Sequence, residues 1–516
     1  AGAGAASLLI PSRNLGLARP VRQDATPSAA GGEPVYGGTL IYARNIDSQT
    51  LDPHFSTALA DRFTLYCVFN TLVAWDTDFN VVPELAQSWD IDEKAPSITF
   101  HLQPGVMFHD GTPFNADAVK WNIERILNPD VGSTQRGQLE PAIANVDVVD
   151  DVTVRFNLKK PWRPLLASLG ERPGFIVSPT AVQKLGDDDF GRHPVGTGPF
   201  KFVEWAPDSH IKMEKFDGYW DKGKPYLDGI TIQHVPDSQV QTTMVRTGEA
   251  HLIDQVDPSI VPTLKAAPDV KVVEYQSGHW YGTQCDVDKP PFDNADLRKA
   301  LAHATDREAI KQLVFGGTGR VMPHPLANGW AYDEALNDLM PFDLDMAKQY
   351  LDKSGAAGKT FTFTASNARI EQDLAQAYQA QYQQLGINVQ IETVDAAQSF
   401  ALVKNDTTNW TTTDWTPRAD PDGLLRILWY SKGFQNSNGY NNPEVDKLLD
   451  QAAEIFDTKK AAGLYHQAEK IIVEDASYVF VEATAEYATM RDEVGGFEYY
   501  PDLILRLRYL WLTPST

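Results

Sequence analysis

The chain has 516 residues, of which 42% are hydrophobic and 10% are aromatic. This composition is ordinary for a globular protein, and the length exceeds what one hydrophobic core supports, so we expect at least two folding units rather than disorder. The formal net charge of −24 at pH 7 argues against nucleic-acid binding, because phosphates need a basic surface, and no stretch approaches the roughly 18 apolar residues of a membrane span.

Residues 1–34 are rich in alanine, glycine, proline and serine. They are typical of a flexible leader on an exported protein whose signal peptide has been removed, and a trimmed expression product would look the same. Cys67 and Cys285 are the only cysteines, which is too few for a disulfide framework and gives no zinc-site spacing. The apolar run around Cys67 predicts a buried core position.

Strands and helices are mixed in the first half of the chain. Apolar periodicity predicts helices at 61–72 and 115–127, the second with Asn115 or Asp117 as its N-cap. A polar loop is expected at 45–57. Alternating apolar residues predict strands at 37–43, 97–102, 152–158, 193–205, 209–220 and 227–235.

After about residue 280 long amphipathic helices dominate, with short strands between them. The helices are expected within 295–315, 343–355, 369–386 and 442–456, and the strands at 359–366 and 387–394. This alternation is typical of an α/β unit. We place a boundary near Trp280, within the extended stretch 270–287.

No motif in the chain indicates catalysis. The sequence contains no G-x-S-x-G, H-E-x-x-H, Walker loop or dinucleotide fingerprint. Ser209 and Lys212 fit S-x-x-K, but they lie on a predicted strand and no companion motif follows. The 11 histidines are scattered without the spacing of metal ligands. We therefore expect no catalytic residue, no metal and no cofactor.

Eight segments together resemble one family. They are GGTLIYA (37–43), PELAQSW (83–89), ITFHLQPGVMFHDGTPFNADAV (98–119), HPVGTGPF (193–200), FDGYWDKGKPYLDGI (216–230), KPPFDNADLRKALAHATDREAI (289–310), ADPDG (419–423) and GYNNPEVDKLL (439–449). In this collinear order, over about residues 36–512, the chain resembles the family 5 extracellular solute-binding proteins of ABC importers, which include dipeptide- and oligopeptide-binding proteins.

The resemblance implies an α/β fold of the two-lobed, large periplasmic-binding-protein type, which closes on its ligand by hinge motion. Lobe 1 would comprise residues 35–281 plus 488–516, with an inserted subdomain at about 82–190, and lobe 2 residues 282–487. The two crossing segments would lie near Tyr275–Asp286 and Tyr487–Asp492.

The resemblance also implies which residues bind the ligand. In dipeptide-binding relatives an arginine after the first strand of lobe 2 holds the ligand carboxylate, and Arg369 occupies that place; a guanidinium suits a carboxylate because it binds it in a bidentate way. The relatives hold the ligand ammonium with an aspartate shortly after a tryptophan. Here the corresponding position holds Pro417 if the segments are aligned without a gap, and Arg418 if they are aligned on Trp415 with one deletion. Neither side chain accepts a hydrogen bond from an ammonium.

Arg418 therefore predicts a ligand that is anionic at this end, because a buried cation needs a partner. Asp414 and Asp420 are the alternative partners for Arg418. Asp420 followed by Pro421 is also a helix-start signature, with Asp at the N-cap and Pro at N1.

Aromatic and polar side chains complete the expected site. Their rings suit the apolar body of a ligand, and the loop 45–57 supplies hydroxyl groups. The candidates are Trp280, Tyr281, Trp410, Trp415, Ser48 and Thr57.

We expect a non-enzymatic, monomeric solute receptor, periplasmic or extracellular, that delivers a peptide-like or opine-like carboxylate-bearing ligand to an ABC importer permease. A tether to the membrane face stays open. Two alternatives remain at this point: an oligosaccharide receptor of the same family, and a secreted hydrolase.

Overall fold

The computed structural model describes residues 33–514 except Gln255 and Asp406. The predicted leader, residues 1–34, thus lies almost entirely outside the described residues. In the described part of the chain, no helix combines the length and the apolar character that crossing a bilayer requires.

Nineteen strands are found among the described residues. In chain order they are β1 (Thr39–Arg44), β2 (Val73–Trp75), β3 (Val81–Pro83), β4 (Ala86–Asp92), β5 (Ser97–Leu102), β6 (Ile143–Asp150), β7 (Thr153–Leu158), β8 (Phe200–Ala206), β9 (His210–Lys215), β10 (Gly229–His234), β11 (Leu252–Ile253), β12 (Val270–Cys285), β13 (Arg320–Val321), β14 (Thr360–Ser366), β15 (Asn388–Val394), β16 (Trp410–Trp415), β17 (Tyr478–Arg491), β18 (Val494–Gly495) and β19 (Trp511–Leu512).

The same part of the chain forms sixteen α-helices and three short 3₁₀ segments. The helices are α1 (Leu59–Val68), α2 (Ala116–Leu127), α3 (Arg136–Leu139), α4 (Pro164–Ser168), α5 (Pro179–Leu185), α6 (Asp187–Phe190), α7 (Ser238–Thr247), α8 (Val261–Lys265), α9 (Ala295–Ala304), α10 (Arg307–Val314), α11 (Leu344–Ser354), α12 (Arg369–Gln383), α13 (Ala396–Lys404), α14 (Asp422–Trp429), α15 (Pro443–Ala453) and α16 (Thr458–Asp475). The 3₁₀ segments are Arg172–Gly174, Glu334–Asp338 and Leu507–Tyr509.

One mixed sheet runs through the molecule, in the order β15–β14–β16–β12–β17–β11–β1–β10–β9–β8, with β13 paired to β17. Its central ladder is the antiparallel pair of β12 and β17, which extends from Val270 opposite Arg491 to Gln284 opposite Tyr478. One end of this ladder pairs with β11 and the other with β16. The two long strands therefore belong to both lobes, as the two-lobed fold requires.

The ladder is irregular where it passes from one lobe to the other. Its register shifts between Gln276 and Trp280, opposite Ala483–Ala485 on β17. The first predicted crossing, Tyr275–Asp286, includes this bulge. The second predicted crossing, Tyr487–Asp492, lies just after Ala483–Ala485, the residues of β17 that face the bulge. A bulge bends its strand and interrupts the ladder, so it is a suitable place for a hinge. The residue ranges of the two lobes stay predictions.

A separate antiparallel sheet, β4–β5–β7–β6, lies within residues 82–190, the range predicted for the inserted subdomain. On β7 the alternation expected from the sequence buries Val154, Phe156 and Leu158. Helix α2 packs on this sheet and begins after Asn115, whose side chain accepts a hydrogen bond from the backbone N–H of Ala118 at 3.0 Å. This bond satisfies one of the free N–H groups of the first turn, so Asn115 is the cap.

Candidate ligand-binding cleft

Arg418 lies in the loop between β16 and α14 and is half-buried. Its Nη1 donates to Thr416 Oγ1 at 2.7 Å and to the carbonyl oxygen of Pro417 at 3.2 Å. Among the described residues, no carboxylate lies within ion-pair distance of this guanidinium. Burial lowers the pKa of Arg418, against the attraction of Glu171 and Asp502 and together with the repulsion of Arg62. Arg418 therefore shares its electrostatic surroundings with charged residues from the part of the chain predicted as lobe 1.

Glu171 is the lobe 1 acid that these arginines surround. It lies at the end of the α4 region and is buried. Arg172 Nη1 donates to Glu171 Oε1 at 2.7 Å, and Arg62 Nε lies 3.4 Å from the same oxygen. Burial alone would raise the pKa of Glu171, but Arg62, Arg172 and Arg418 lower it to about 2. Glu171 is therefore an anion throughout the physiological pH range.

A second acid from the C-terminal segment completes this cluster. Arg62 Nη2 donates to Asp502 Oδ2 at 2.6 Å, and Arg506 donates to the same oxygen at 2.9 Å. The guanidinium carbon of Arg506 lies 3.8 Å from the ring centroid of Tyr66, which is a cation–π arrangement. Helix α1 supplies both Arg62 and Tyr66, so the cluster joins three stretches that are distant in the sequence.

Arg172 also fixes the loop that precedes α1. Its Nε donates to Ser56 Oγ at 3.3 Å and its Nη2 donates to the carbonyl oxygen of Thr57 at 3.3 Å. Ser56 in turn donates to Asp61 at 2.7 Å. Burial lowers the pKa of Arg172 to about 10, a fall that the like charges of Arg62 and Arg418 reinforce and Glu171 opposes. Burial is thus the main cause of this lowered pKa, and the two neighbouring arginines add to it.

Counting formal charges shows what the cleft can bind. The arginine side chains of this cluster are Arg62, Arg172, Arg418 and Arg506, and its carboxylates are Asp61, Glu171 and Asp502. Arg418 is the arginine of this cluster without an ion pair in the described part of the chain, whereas Asp61 accepts hydrogen bonds from Ser56 and from the backbone of Gln49. An anionic group is therefore the chemical complement of this cleft.

The predicted partners of Arg418 pair elsewhere. Asp420 Oδ2 forms a buried ion pair with Arg163 of lobe 1 rather than with Arg418. Asp420 Oδ1 accepts from the backbone N–H of Asp422 at 3.0 Å. The predicted N-cap role of Asp420 is wrong, because α14 begins at Asp422 and Pro421, not Asp420, occupies the N-cap. Asp414 Oδ2 lies 2.8 Å from His279 Nε2.

Two of the four aromatic candidates are core residues. Trp280 is fully buried and packs against Phe480 at a ring-centroid distance of 5.0 Å. Trp410 is also fully buried, 4.7 Å from Phe363. Successive residues of a strand face opposite sides of a sheet, so these tryptophans fill the layers beneath the helices. Neither tryptophan is accessible to a ligand, so the expectation that they line the cleft is not met.

Tyr281 and Trp415 remain accessible. The Tyr281 ring lies 5.0 Å from that of His279, and burial together with the charges of Asp414 and Glu486 raises the pKa of Tyr281. Trp415 is half-buried, and its Nε1 donates to Thr413 Oγ1 at 3.0 Å. Both residues stay candidates for the wall of the cleft.

Arg369 is the first residue of α12, and its side chain is 55% exposed. It lies 3.5 Å from Asp257 of lobe 1 and 3.3 Å from Asp373 on its own helix. A ligand carboxylate would have to replace one of these ion pairs. The carboxylate-binding role of Arg369 stays a prediction.

Ser48 is half-buried at the edge of lobe 1. Its backbone N–H donates to Asp47 Oδ1 at 2.7 Å, while Asp47 Oδ2 accepts from the backbone of Asp208 and from Trp205. This part of the loop is held against the β8–β9 turn, whereas its other end, at Ser56, reaches the arginine cluster. The role proposed for Ser48 stays a prediction.

The arginine cluster of lobe 1 was not among the residues expected from the sequence. Its members are Arg62, Glu171, Arg172, Asp502 and Arg506. They lie in otherwise apolar stretches, and the relevant signal is that charged residues are rarely buried unless they are paired. That signal would have marked them as buried ions without indicating their partners.

A mixed α/β fold of two lobes that share two long strands is characteristic of the periplasmic-binding-protein class of solute receptors. Comparison with known proteins agrees with this class. The family model for bacterial extracellular solute-binding proteins, family 5 middle region, matches residues 80–436.

Curated relatives match over most of their length. The glutathione-binding protein GsiB of Pectobacterium atrosepticum is 31% identical over 467 residues, covering 88% of this chain and 90% of the relative. GsiB of Salmonella paratyphi A is 30% identical over 480 residues, covering 90% and 92%.

Two solved structures are similar in fold and sequence. The ABC transporter-associated periplasmic binding protein DppA from Helicobacter pylori, in complex with the peptide STSA, has a TM-score of 0.81 at 27% identity and covers 93% of this chain and 98% of its own. AgaA from A. tumefaciens R10, in complex with agropinic acid, has a TM-score of 0.80 at 26% identity, with coverages of 93% and 99%. The chain belongs to the family 5 bacterial extracellular solute-binding proteins.

Proposed function

We propose that this protein is a non-enzymatic, monomeric receptor outside the cytoplasm that captures a peptide-like or opine-like ligand through a carboxylate and delivers it to an ABC importer permease. One observation carries the ligand class. Arg418 forms no ion pair with a described carboxylate, and its guanidinium donates instead to Thr416 Oγ1 at 2.7 Å.

The ligands named for relatives support this chemistry. Glutathione is named for GsiB, the peptide STSA for DppA and agropinic acid for AgaA, and all of these carry carboxylates. The cleft presents arginine to such a group, and arginine binds carboxylates in a bidentate way. An oligosaccharide has no group that would compensate Arg418, so it fits this cleft less well.

A thermal-shift panel tests the ligand class. The panel contains glutathione, a dipeptide, the tetrapeptide STSA, agropinic acid and a neutral oligosaccharide. A ligand present at 100 times its Kd stabilises the folded state by about 2.7 kcal/mol, so a carboxylate-bearing compound should raise Tm. A rise with the oligosaccharide alone would contradict the proposal.

The Arg418→Gln variant tests the residue. For the compound that raises Tm, we expect calorimetry to show binding weaker by about 2 kcal/mol or more, because a buried carboxylate would lose its charged partner. Lys215→Gln, a lysine on β9 of lobe 1, is the control and should bind as the wild type does. Equal affinity for Arg418→Gln and the wild type would remove Arg418 from the site.

A further inference from the structure

A contact between the predicted lobes lies outside the arginine cluster. The segment 160–167, which we call the bridging segment, leads from β7 into α4 of the inserted subdomain and rests on lobe 2. Its Lys160 lies 2.9 Å from Glu454. The ring of Trp162 lies 4.9 Å from the guanidinium of Arg426. The inserted subdomain thus contacts the helical part of lobe 2 directly.

Arg163 is the centre of this contact. Its side chain is 5% exposed and forms an ion pair with Asp420. Its Nη2 lies 2.7 Å from the hydroxyl of Tyr465, and its guanidinium carbon lies 4.5 Å from the ring centroid of Trp330. The backbone N–H of Arg163 donates to the carbonyl oxygen of Ala453 at 2.8 Å. All four partners lie in lobe 2, so together they form a socket for one lobe 1 arginine.

The socket connects directly to the loop that carries Arg418. Asp420 is two residues beyond Arg418, and its other carboxylate oxygen accepts from the backbone N–H of Asp422, the first residue of α14. The adjoining Ala419 packs with Ala167 of the bridging segment in one buried cluster. When Arg163 occupies the socket, both the loop and the start of α14 are fixed against lobe 1.

The energetic balance favours a reversible contact. In an open molecule Arg163 and Asp420 are both hydrated, and closing replaces this hydration by an ion pair, a hydroxyl and a ring face. Arg163 Nε has no hydrogen-bond partner among the described residues, so part of the desolvation cost is not recovered. A contact of this kind shifts an open–closed equilibrium without making it permanent.

We propose that Arg163 is a positioning residue that holds the lobes closed, even without ligand, and presents the Arg418 loop to the cleft. Arg163 acts through Asp420 and does not itself contact the ligand. The proposal depends on the two-lobed fold and is independent of which ligand the cleft takes.

Single-molecule fluorescence transfer on the ligand-free, full-length protein measures the closed-to-open ratio. Dyes are attached to cysteines introduced at Val203 and Leu313, which are 50% and 76% exposed and lie in different lobes. Cys67 and Cys285 are both buried, so the introduced cysteines label selectively.

Arg163→Ala and Asp420→Asn are the test variants. Asparagine keeps an Oδ1 acceptor for the Asp422 N–H and removes only the charge. We expect each to lower the closed-to-open ratio about tenfold, and Arg163→Lys to recover part of it. Lys160→Ala removes a pair that is 40% and 44% exposed, so it should change the ratio by less than about twofold.

Three results would overturn the proposal. These are a ligand-free wild type that is already open, equal ratios for the wild type and both test variants, and a fall in Tm for the test variants with no change in ratio. The last would make Arg163 a stabilising residue only. Because no ligand is present, each result is independent of the thermal-shift panel that tests the proposed ligand class.

Discussion

At the scale of single residues, Glu482 is a buried carboxyl group without a counter-charge in hydrogen-bonding reach. It is fully buried on β17, and neither carboxylate oxygen has a hydrogen-bond partner among the described residues. Burial raises its pKa from 4.5 to about 8, against the attraction of Lys311. Below that pH the group is a neutral acid, and above it the fold must bury a charge.

Glu482→Gln should therefore stabilise the protein in alkaline conditions. The raised pKa means that the folded state holds a proton which the unfolded chain releases, so stability falls as the pH rises from 4.5 to about 8. Glutamine has no charge to bury, so the variant should gain about 3 kcal/mol in free energy of unfolding at pH 9 and little at pH 4.5. Urea unfolding at both pH values checks this. Glu392→Gln, at an exposed acid on β15, is the control; equal stability of Glu482→Gln and the wild type at pH 9 would contradict the prediction.

Sequence reasoning located Arg418 and not its surroundings, for a physical reason. Arg418 was detectable because it replaces an acid at a position defined by Trp415. Glu171 and Asp502 act on Arg418 from far away in the chain, and a charged residue in an apolar stretch carries no mark of its partner. Trp280 and Trp410 were expected at the ligand site because of their positions in the sequence. A position in the sequence does not reveal which face of a strand a residue occupies.

At the scale of elements, three strands meet at the hinge through one histidine. His279 on β12 lies 2.8 Å from Asp414 on β16 and 3.5 Å from Glu486 on β17. Burial alone would lower the pKa of His279, but hydrogen bonds to these two acids raise it to about 10. His279 is therefore a cation at neutral pH and joins both neighbouring strands of the central ladder.

His279→Gln should destabilise the protein by roughly 2 kcal/mol at pH 7. Because the folded-state pKa of His279 is above the ordinary histidine value of 6.5, this stabilisation is complete below pH 6.5 and is lost as the pH rises through about 10. Denaturant unfolding from pH 6 to 10.5 should show the difference between variant and wild type shrinking at high pH. The control is His101→Gln, which removes an ion pair with Asp90 whose two side chains are 39% and 79% exposed. It should have little effect on stability. A difference that is constant with pH would show that the charge of His279 is not involved.

Gly278, in the bulge of β12, connects the hinge to the Arg418 loop. A Cβ atom at this position would lie 2.8 Å from Pro417 Cβ and 3.1 Å from Asn328 Nδ2. Gly278→Ala should push the loop away from the hinge, which costs about 1–3 kcal/mol of stability when a packed site is overfilled, and should weaken binding of the compound found in the thermal-shift panel. Calorimetric titration measures it. Gly463→Ala on α16, where no atom lies within 4 Å, is the control and should keep wild-type affinity.

The elements themselves were predictable to the extent that their signals are local. The cap at Asn115, the alternation in β7 and the long helices of lobe 2 all depend on residues within one element. The bulge between Gln276 and Trp280 depends instead on how β12 pairs with β17, some 200 residues later in the chain, so no local pattern specifies it.

At the scale of the whole molecule, the cleft gathers charges from four distant parts of the chain. Arg62 comes from α1, Glu171 and Arg172 from the end of the inserted subdomain, Arg418 from lobe 2 and Asp502 from the C-terminal segment. Ions held in this way stabilise a fold only while each remains charged and paired. Glu171 has the central position, because Arg62 and Arg172 both contact it.

Acid should therefore weaken this assembly through Glu171. Its pKa is lowered from 4.5 to about 2, so its contribution is complete above pH 4.5 and is lost as the pH falls toward 2. Glu171→Gln should lower the free energy of unfolding at pH 7 by about 3 kcal/mol, and the variant and wild type should converge near pH 2. Urea unfolding from pH 7 down to pH 2.5 measures both effects.

Glu93→Gln provides the matched control, because Glu93 is exposed on the inserted subdomain and its replacement should leave stability within about 0.5 kcal/mol of the wild type. If Glu171→Gln matched Glu93→Gln at pH 7, the arginines around Glu171 would not depend on its charge. Convergence at low pH separates loss of a charge from loss of packing, since a packing defect persists at every pH. The same variant also bears on ligand binding. Glu171→Gln removes the acid that Arg62 and Arg172 share, so an anionic ligand should bind this variant more tightly even though its fold is less stable.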